Sequence, residues 1–403
     1  MRIVVHDYAG HPFQVQLSRA LAERGHDVLH LYSASLQTPR GELTVNCSDP
    51  ATLAINPIQL SRVIPKSNFF KRYQLESEYA KKLVAVCREF KPDVVLSANS
   101  PSVVQFRLAR WCQATGTRLV SWIQDMYGVA AYRILKKKLP GLGHLIGRHF
   151  MSLDRRSARW SDEIVVITED FEPVFERMGI PRTRLHTIHN WAPIDDLPVG
   201  PRETKWSAEV GLGSGLRFVY SGTLAMKHNP GLLLQLAKQC DQWGNAELIV
   251  ISEGAGIEWL QEEACKIGVK SLRCLGFQPF EMMDQVFASA DVLLAILEPD
   301  AGAFCVPSKV LSYMCARRAL LAAIPADNLA ARIIADENAG LVVDPDDANA
   351  FVKAAQQLFE DPLLREKCGQ AARGYAERNF LIDTIADRFC EILGAPSTAP
   401  VNL

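Results

Sequence analysis

Leu216-Arg217-Phe218-Val219-Tyr220, the helix-period stretch 231–240 and Glu247-Leu248-Ile249-Val250-Ile251 decide the fold. The two apolar runs are short and flanked by glycine or polar residues. They read as strands buried on both faces, and the stretch between them reads as the helix that joins parallel neighbours. The series continues through Ser271-Leu272-Arg273-Cys274-Leu275, Asp291-Val292-Leu293-Leu294-Ala295, Ala319-Leu320-Leu321-Ala322-Ala323 and Gly340-Leu341-Val342-Val343. Helical segments 348–359 and 363–393 close it.

Upstream the same alternation runs from the first residues. Ile3-Val4-Val5 is a strand, broken by Gly10-His11-Pro12. Val15, Leu17, Leu21 and Ala22 follow at near-helical spacing, and Gly25 is placed to end that helix before Val28-Leu29-His30-Leu31. Pro92-Asp93-Val94-Val95-Leu96, Arg118-Leu119-Val120-Ser121-Trp122-Ile123 and Glu163-Ile164-Val165-Val166-Ile167 are further strands, with helices between them. Both halves are therefore α/β, each with a doubly wound parallel sheet.

With 403 residues, two domains are expected. Residues 191–207 carry three prolines without periodicity and mark the linker. They separate an N-terminal domain, 1–190, from a C-terminal one, 208–380. The remaining 381–403 form a helix and tail that can pack back on the first domain. A formal net charge of -1 argues against a nucleic-acid partner. The ten cysteines include no Cys-x-x-Cys pair and read as free thiols of a reducing compartment. The start, Met1-Arg2-Ile3-Val4-Val5-His6-Asp7, lacks the long apolar core of a signal peptide, and no run approaches a membrane span. No metal-ligand spacing of His, Asp or Cys is seen. A cytoplasmic location is expected.

Composition and period stop at a two-domain α/β protein with ligand loops at the strand ends. Val306-Pro307-Ser308-Lys309-Val310-Leu311-Ser312-Tyr313-Met314 takes the reading further. Together with the segments below, it resembles the donor-site helix of retaining GT-B glycosyltransferases of family 4, in particular those that build bacterial exopolysaccharide, O-antigen and colanic-acid-type polymers. The resemblance implies two Rossmann-like domains facing each other across a cleft. It implies a nucleoside-diphosphate sugar as co-substrate, uridine favoured over guanosine, and a glycan or polyprenyl-linked acceptor. No metal or other cofactor is expected. Pro307, Ser308 and Lys309 would receive the diphosphate at a helix start; on those three residues alone, a plain helix start with a solvated lysine is the other reading.

Tyr220-Ser221-Gly222-Thr223-Leu224-Ala225-Met226-Lys227 resembles the family's loop after the first strand of the donor domain. Ser221, Gly222 and Thr223 would lie against the donor, and Lys227 would act on the departing diphosphate, a charge that grows in the transition state. Thr223 stands where the family carries arginine, and Lys227 stands one residue early. Phe277 and Gln278, in Leu275-Gly276-Phe277-Gln278-Pro279, resemble the family's loop that meets the nucleobase, and Glu253, in Ser252-Glu253-Gly254-Ala255-Gly256, lies in a stretch that resembles the family's Gly-x-Gly turn on the donor side; plain turns are the other reading of both. Gly10, in Tyr8-Ala9-Gly10-His11, resembles the loop closing over the diphosphate. Asp125, in Ile123-Gln124-Asp125-Met126-Tyr127, is the candidate catalytic acid on the acceptor side, with a solvated loop aspartate as the alternative. His189-Asn190-Trp191 matches an element that shapes the hinge.

The sequence departs from the family at Phe304 and Ser312, where many relatives carry two glutamates. Ser312 keeps a hydroxyl for the ribose, and Glu298 lies nearby. This departure leaves a non-catalytic scaffold of the same fold, or a sugar-nucleotide epimerase, as alternatives. A dinucleotide oxidoreductase is disfavoured, because no Gly-x-Gly-x-x-Gly follows the first strand.

Residues 133–160 hold eight Lys or Arg against one acid, Asp154. On a helix over 144–160, Arg148, Arg155 and Arg159 share one stripe, and Ile146, Phe150, Leu153 and Ser157 another. Contact with an anionic membrane, on its inner face, is one expectation; an ordinary packed amphipathic helix is the other.

Overall fold

The computed structural model describes residues 1–36, 43–60, 62, 69–139, 141–299 and 306–394. Phe304 and Cys305 lie outside the described residues, as does the side chain of Lys227. Two compact units emerge. The first comprises Met1–His189 with the returning C-terminal segment from Ile382, and the second Asn190–Leu381. Residues 191–207, expected as a linker, fall within the second unit, and the terminal helix belongs to the first.

The first unit runs β1 (Arg2–Asp7), α1 (Pro12–Glu23), β2 (Asp27–Ser33), β3 (Leu53–Ile58), α2 (Phe69–Phe90), β4 (Val94–Ala98), α3 (Ser102–Thr115), β5 (Arg118–Ile123), α4 (Tyr127–Lys138), α5 (Leu142–Trp160), β6 (Glu163–Val166), α6 (Glu172–Arg177) and β7 (Leu185–Thr187). Its sheet has the order β3-β2-β1-β4-β5-β6-β7, and every pairing is parallel. The order reverses between β1 and β4, the switch point where parallel sheets open a crevice at their strand C-termini. β3 and β7 were not foreseen. β3 contains Pro57, which is tolerated because the strand lies on the sheet edge. Gly25 takes φ +81° just beyond α1, as its spacing predicted.

The second unit runs α7 (Lys205–Glu209), β8 (Leu216–Ser221), α8 (Pro230–Trp243), β9 (Ala246–Ile251), α9 (Ala255–Ile267), β10 (Leu272–Leu275), α10 (Met283–Ala288), β11 (Val292–Ile296), α11 (Ser308–Cys315), β12 (Ala319–Ala323), α12 (Leu329–Asp336), β13 (Gly340–Val343), α13 (Ala348–Glu360) and α14 (Pro362–Asn379). The sheet order is β10-β9-β8-β11-β12-β13, again all parallel. All residues of β8, β11 and β12 are buried, as a sheet covered on both faces requires. Leu232, Leu233, Leu236 and Cys240 of α8 pack with Phe351, Ala355 and Leu358 of α13 in the same core as alternate residues of β8 and β9.

The single C-terminal helix expected over 363–393 is two helices. α14 ends at Asn379, Phe380 turns away, and α15 (Ile382–Gly394) begins a new direction. α15 lies on the first unit. Phe389 is fully buried with its ring 4.9 Å from that of Trp122 in β5, and Arg24 at the end of α1 pairs with Asp383 and Asp387. The proline-rich connection is not loose either: Trp191, Ala192, Ile194, Leu197 and Trp206 are buried, and Thr204 caps α7 through the Ser207 amide.

Candidate functional site

In the second unit, the strand ends gather most of the donor-side residues expected from the sequence. β8 ends at Ser221 and the chain turns at Gly222 with φ +130°, a conformation that favours glycine. The turn is held from three sides. The Gly222 amide donates to the Ile251 carbonyl (3.0 Å), the Tyr220 hydroxyl to the Thr223 carbonyl (2.8 Å), and the Leu224 amide to Ser252 Oγ (2.9 Å). The Ser221 amide donates to the Tyr313 hydroxyl (3.0 Å), which donates back to the Ser221 carbonyl (2.9 Å). Tyr313 thereby ties α11 to the end of β8.

That tie brings Lys309 to Gly222. The Lys309 Nζ lies 3.8 Å from the centre of the Tyr220 ring, and a Cβ on Gly222 would stand 3.0 Å from the same nitrogen. No carboxylate pairs with Lys309 among the described residues. Burial pushes its amine down to about 7. Pro307 precedes α11, Ser308 opens it, and Ser312 follows one turn later, half-buried. The Ser308 and Lys309 amides of this helix start, beside a lysine with no counter-ion among the described residues, can receive an anionic group.

The neighbouring loops are of mixed character. Glu253 is exposed, and its Oε1 would be 3.9 Å from a Cβ on Gly276. The Phe277 ring is 42% exposed at the end of β10, free to stack on a planar ligand. Gln278 is engaged within the unit, since Trp206 Nε1 donates to its Oε1 (2.9 Å) and its Nε2 donates to the Gly276 carbonyl (2.9 Å). Gly254 and Gly256 flank the start of α9. A Cβ on Gly256 would meet the Leu224 carbonyl at 2.2 Å, so its service is close packing against the Gly222 loop.

In the first unit, Gly10 and Asp125 follow β1 and β5, and so sit on the same edge of the sheet. Gly10 takes φ +82°, and the Ala9 and Gly10 amides donate to the buried Asp7 carboxylate (3.0 and 2.8 Å). His6 and His30 behind this loop are fully buried, and burial pushes both down to about 3. They are neutral structural histidines: His6 meets Ser97, Ser100 and Tyr79, and His30 meets Ser18.

Asp125 is recessed, not solvated. Burial pushes its carboxyl up to about 6, while a hydrogen bond from Asn99 opposes the shift. Asn99 follows β4, takes φ +46°, and its Oδ1 is buried without a partner. A cavity of about 40 Å³ beneath this loop is lined by Ser100, Gln105, Ser121, Asp125, Tyr127 and Asp154, with apolar residues behind them. Asp154 is a second recessed carboxylate, also pushed up to about 6 by burial, with opposing hydrogen bonds from Ser102 and the Gly128 amide. Arg72 and Glu76 of α2 pair at 2.6 Å and act electrostatically on Tyr8 and Tyr127.

The sequence reading missed Tyr220, Tyr313, Asn99, Asp154, Arg72 and Glu76. Tyr313 had a signal, because it stands four residues after Lys309 on the same helix. The others depend on packing between distant segments. No group of three or more His, Cys, Asp or Glu that could hold a metal occurs among the described residues, and none of their helices is long and apolar enough to cross a membrane.

Two family models match the chain: "Glycosyl transferase 4-like domain" over residues 11–191 and "Glycosyl transferases group 1" over residues 215–361. The chain is 26% identical over 300 residues to the probable glycosyltransferase WbjE of Pseudomonas aeruginosa, covering 73% of this chain and 72% of that protein. Among solved structures, sucrose-phosphate synthase from Thermosynechococcus elongatus has a TM-score of 0.73 at 14% identity, covering 97% of this chain and 98% of the other. HepE of Anabaena, solved with UDP and glucose, has a TM-score of 0.71 at 15% identity, covering 98% and 100%. WaaG, a glycosyltransferase involved in lipopolysaccharide biosynthesis, has a TM-score of 0.69 at 17% identity, covering 98% and 100%.

Proposed function

The chain belongs to the GT-B glycosyltransferases of the family 4 type, and from that premise we propose that it transfers a hexosyl group from a UDP-sugar to a glycan or polyprenyl-linked acceptor, with retention, in cell-surface polysaccharide synthesis. Membership sets aside the scaffold and epimerase readings. The observation that carries the proposal is Lys309, a desolvated cation at the start of α11, beside Gly222 and without an acidic partner among the described residues. Uridine as the base is supported by HepE, solved with UDP and glucose, and the polymer setting by WaaG, a glycosyltransferase involved in lipopolysaccharide biosynthesis.

In the proposed reaction the bond from the anomeric carbon to the diphosphate oxygen breaks as the acceptor oxygen bonds to that carbon on the same face. The acceptor proton passes to the departing diphosphate. Lys309, Ser308 and the α11 amides hold the growing negative charge, with Lys227 as a second cation. Gly222 and Gly10 let backbone approach the phosphates, Phe277 stacks on the base, and Ser312 meets the ribose. Ser221, Thr223 and Glu253 line the sugar side. Asp125, backed by Asn99, orients the acceptor hydroxyl. Because lysines supply the positive charge, no metal or organic cofactor takes part, and a chelator leaves transfer unchanged. The proposed location is the cytoplasm, at the inner membrane face.

The test is a thermal-shift series with UDP, GDP, ADP and their sugar conjugates. Stabilisation by UDP and UDP-sugars alone supports the proposal, about 2.7 kcal/mol being expected at a hundredfold excess over Kd. A response to GDP alone reassigns the base. No response to any nucleotide removes the donor site.

A further inference from the structure

Helices α4 and α5 form a hairpin in which glycines let the two backbones approach closely. A Cβ on Gly143 would collide with the Leu135 carbonyl, and one on Gly147 would stand 2.6 Å from the Tyr132 ring. α5 packs as an ordinary amphipathic helix, with Leu153 and Ser157 buried, Ile146 and Phe150 half-buried, and Arg148, Arg155 and Arg159 exposed. Asp154 stands at the border of the two faces, and its carboxylate is turned into the protein, where Ser102 and Gly128 reach it.

Those two partners belong to two different loops. The Ser102 hydroxyl, at the first residue of α3, and the Gly128 amide, in the first turn of α4, both donate to Asp154, the amide at 2.8 Å. Neither helix start has a side-chain cap of its own, since Pro101 precedes α3 and Met126 precedes α4. An uncapped helix start leaves amides in want of an acceptor, and an anion is favoured there. Gly128 is what admits the carboxylate, because a Cβ at that position would collide with it.

The same two loops carry the acceptor-side pair. Asn99 lies three residues before Ser102, and Asp125 three residues before Gly128. The Asn99 side chain donates to Asp125, and its backbone amide donates to the Trp122 carbonyl (3.1 Å). Close packing does not set the height of Asp125 from below, where the cavity of about 40 Å³ lies, with Asp154 in its wall. The polar groups deeper in that wall are engaged with one another: Gln105 Nε2 donates to Ser121 Oγ (2.7 Å), and Ser121 meets Ser161 (2.6 Å). A loop over a polar cavity is positioned by its hydrogen bonds more than by contact.

We propose that Asp154 is a positioning residue for transfer: its carboxylate clamps the β4–α3 and β5–α4 loops together and so holds Asp125 against Asn99 at the C-terminal edge of the sheet. This role rests on the reading of Asp125 as the group that orients the acceptor. The setting of Asp125 is measured without turnover, so the two fail separately.

The experiment is an NMR titration of the full chain labelled with carbon-13 at the aspartate carboxyls, the Asp125 signal being the one lost in Asp125→Asn. Its midpoint reports how far the carboxyl is withdrawn from water, and burial holds it at about 6 in the parent. In Asp154→Ala the clamp is gone, the loop admits water, and the midpoint should fall to about 4, the ordinary aspartate value. Asp154→Asn keeps an oxygen for the Gly128 amide while removing the charge, so it should stay close to the parent. Tyr127 beside Asp125, and the Arg72–Glu76 pair of α2 that acts on Tyr127, are the same in every variant. Thermal midpoint and UDP response serve as folding controls. An Asp125 midpoint unmoved in Asp154→Ala overturns the proposal, whatever stability is lost. So does an equal fall in both variants, which assigns the effect to charge alone. Should Asp154→Ala fail to fold, Ser102→Ala removes one of the two bonds and is read by the same signal: a fall supports the clamp, and no change overturns it.

Discussion

The Lys309 ammonium lies 3.8 Å from the centre of the Tyr220 ring, and nothing but hydrogen could occupy the Cα of Gly222 beside it without shifting the amine. A cation on a ring face keeps part of the attraction it lost with water. It does not recover all of it, which is why burial pushes the amine down. Lys309→Met should therefore bind UDP at least about tenfold more weakly yet unfold at a higher temperature below pH 7. In the unfolded chain the amine titrates near its ordinary value, so the folded parent gains stability as pH rises from about 7 and carries the full penalty below it. Paired melts of parent and variant across pH decide this: a variant less stable at pH 6 contradicts it.

Donor binding should take up protons in mildly alkaline solution. Above pH 7 the free amine is largely neutral, and a diphosphate favours its charged form. Titration calorimetry at pH 8, in buffers of different ionisation enthalpy, should show uptake approaching one proton that vanishes in Lys309→Met. Affinity for UDP should weaken as pH rises through this range.

Asp125→Asn should lower transfer by about 10²-fold while leaving the thermal shift with UDP intact. If the carboxylate form orients the acceptor, the parent's rate should fall as pH drops through about 6, where burial places this group. The same burial means that its charge costs stability as pH rises through that value, so the variant should be the more stable protein at pH 7. A pH–rate profile without an acid limb near 6 would contradict the role.

Gly143→Ala should cost about 1–3 kcal/mol. The added carbon meets a backbone carbonyl of α4 that cannot yield as a side chain would. Urea unfolding measures the loss, and the hairpin should open locally first, with faster amide exchange over α4 than over β5.

Much of this was legible in the sequence because it depends on period. Buried parallel strands read as apolar runs, and helices between them show their faces. Gly10 and Gly222 were legible for another reason: tight turns with positive φ restrict which residues can serve, and Pro307-Ser308-Lys309 was legible as a helix start. The rest was set by distant contacts. Tyr220 looked like one more strand residue, and only the approach of α11, tied through Tyr313, makes it a seat for Lys309. Asp154 looked like the lone acid of a basic helix, because its partner, the Gly128 amide, carries no side-chain signal. β3 was hidden by Asn56 and Pro57, which an edge position tolerates. The break at Phe380 was hidden because neither Pro nor Gly marks it; the buried Phe380, with its ring edge-on to Tyr375, ends α14 through packing.

The return of α15 to the first unit has a consequence for biosynthesis. Phe389 covers Trp122, yet about 270 residues are translated between them. The second unit is contiguous, so its β-strands are all available before the first unit receives its final helix. An emerging chain thus holds a first unit with Trp122 uncovered throughout the synthesis of the second. The protein is completed in the reverse of its linear order, and a chain ending at Leu381 would hold all of the second unit and an unfinished first.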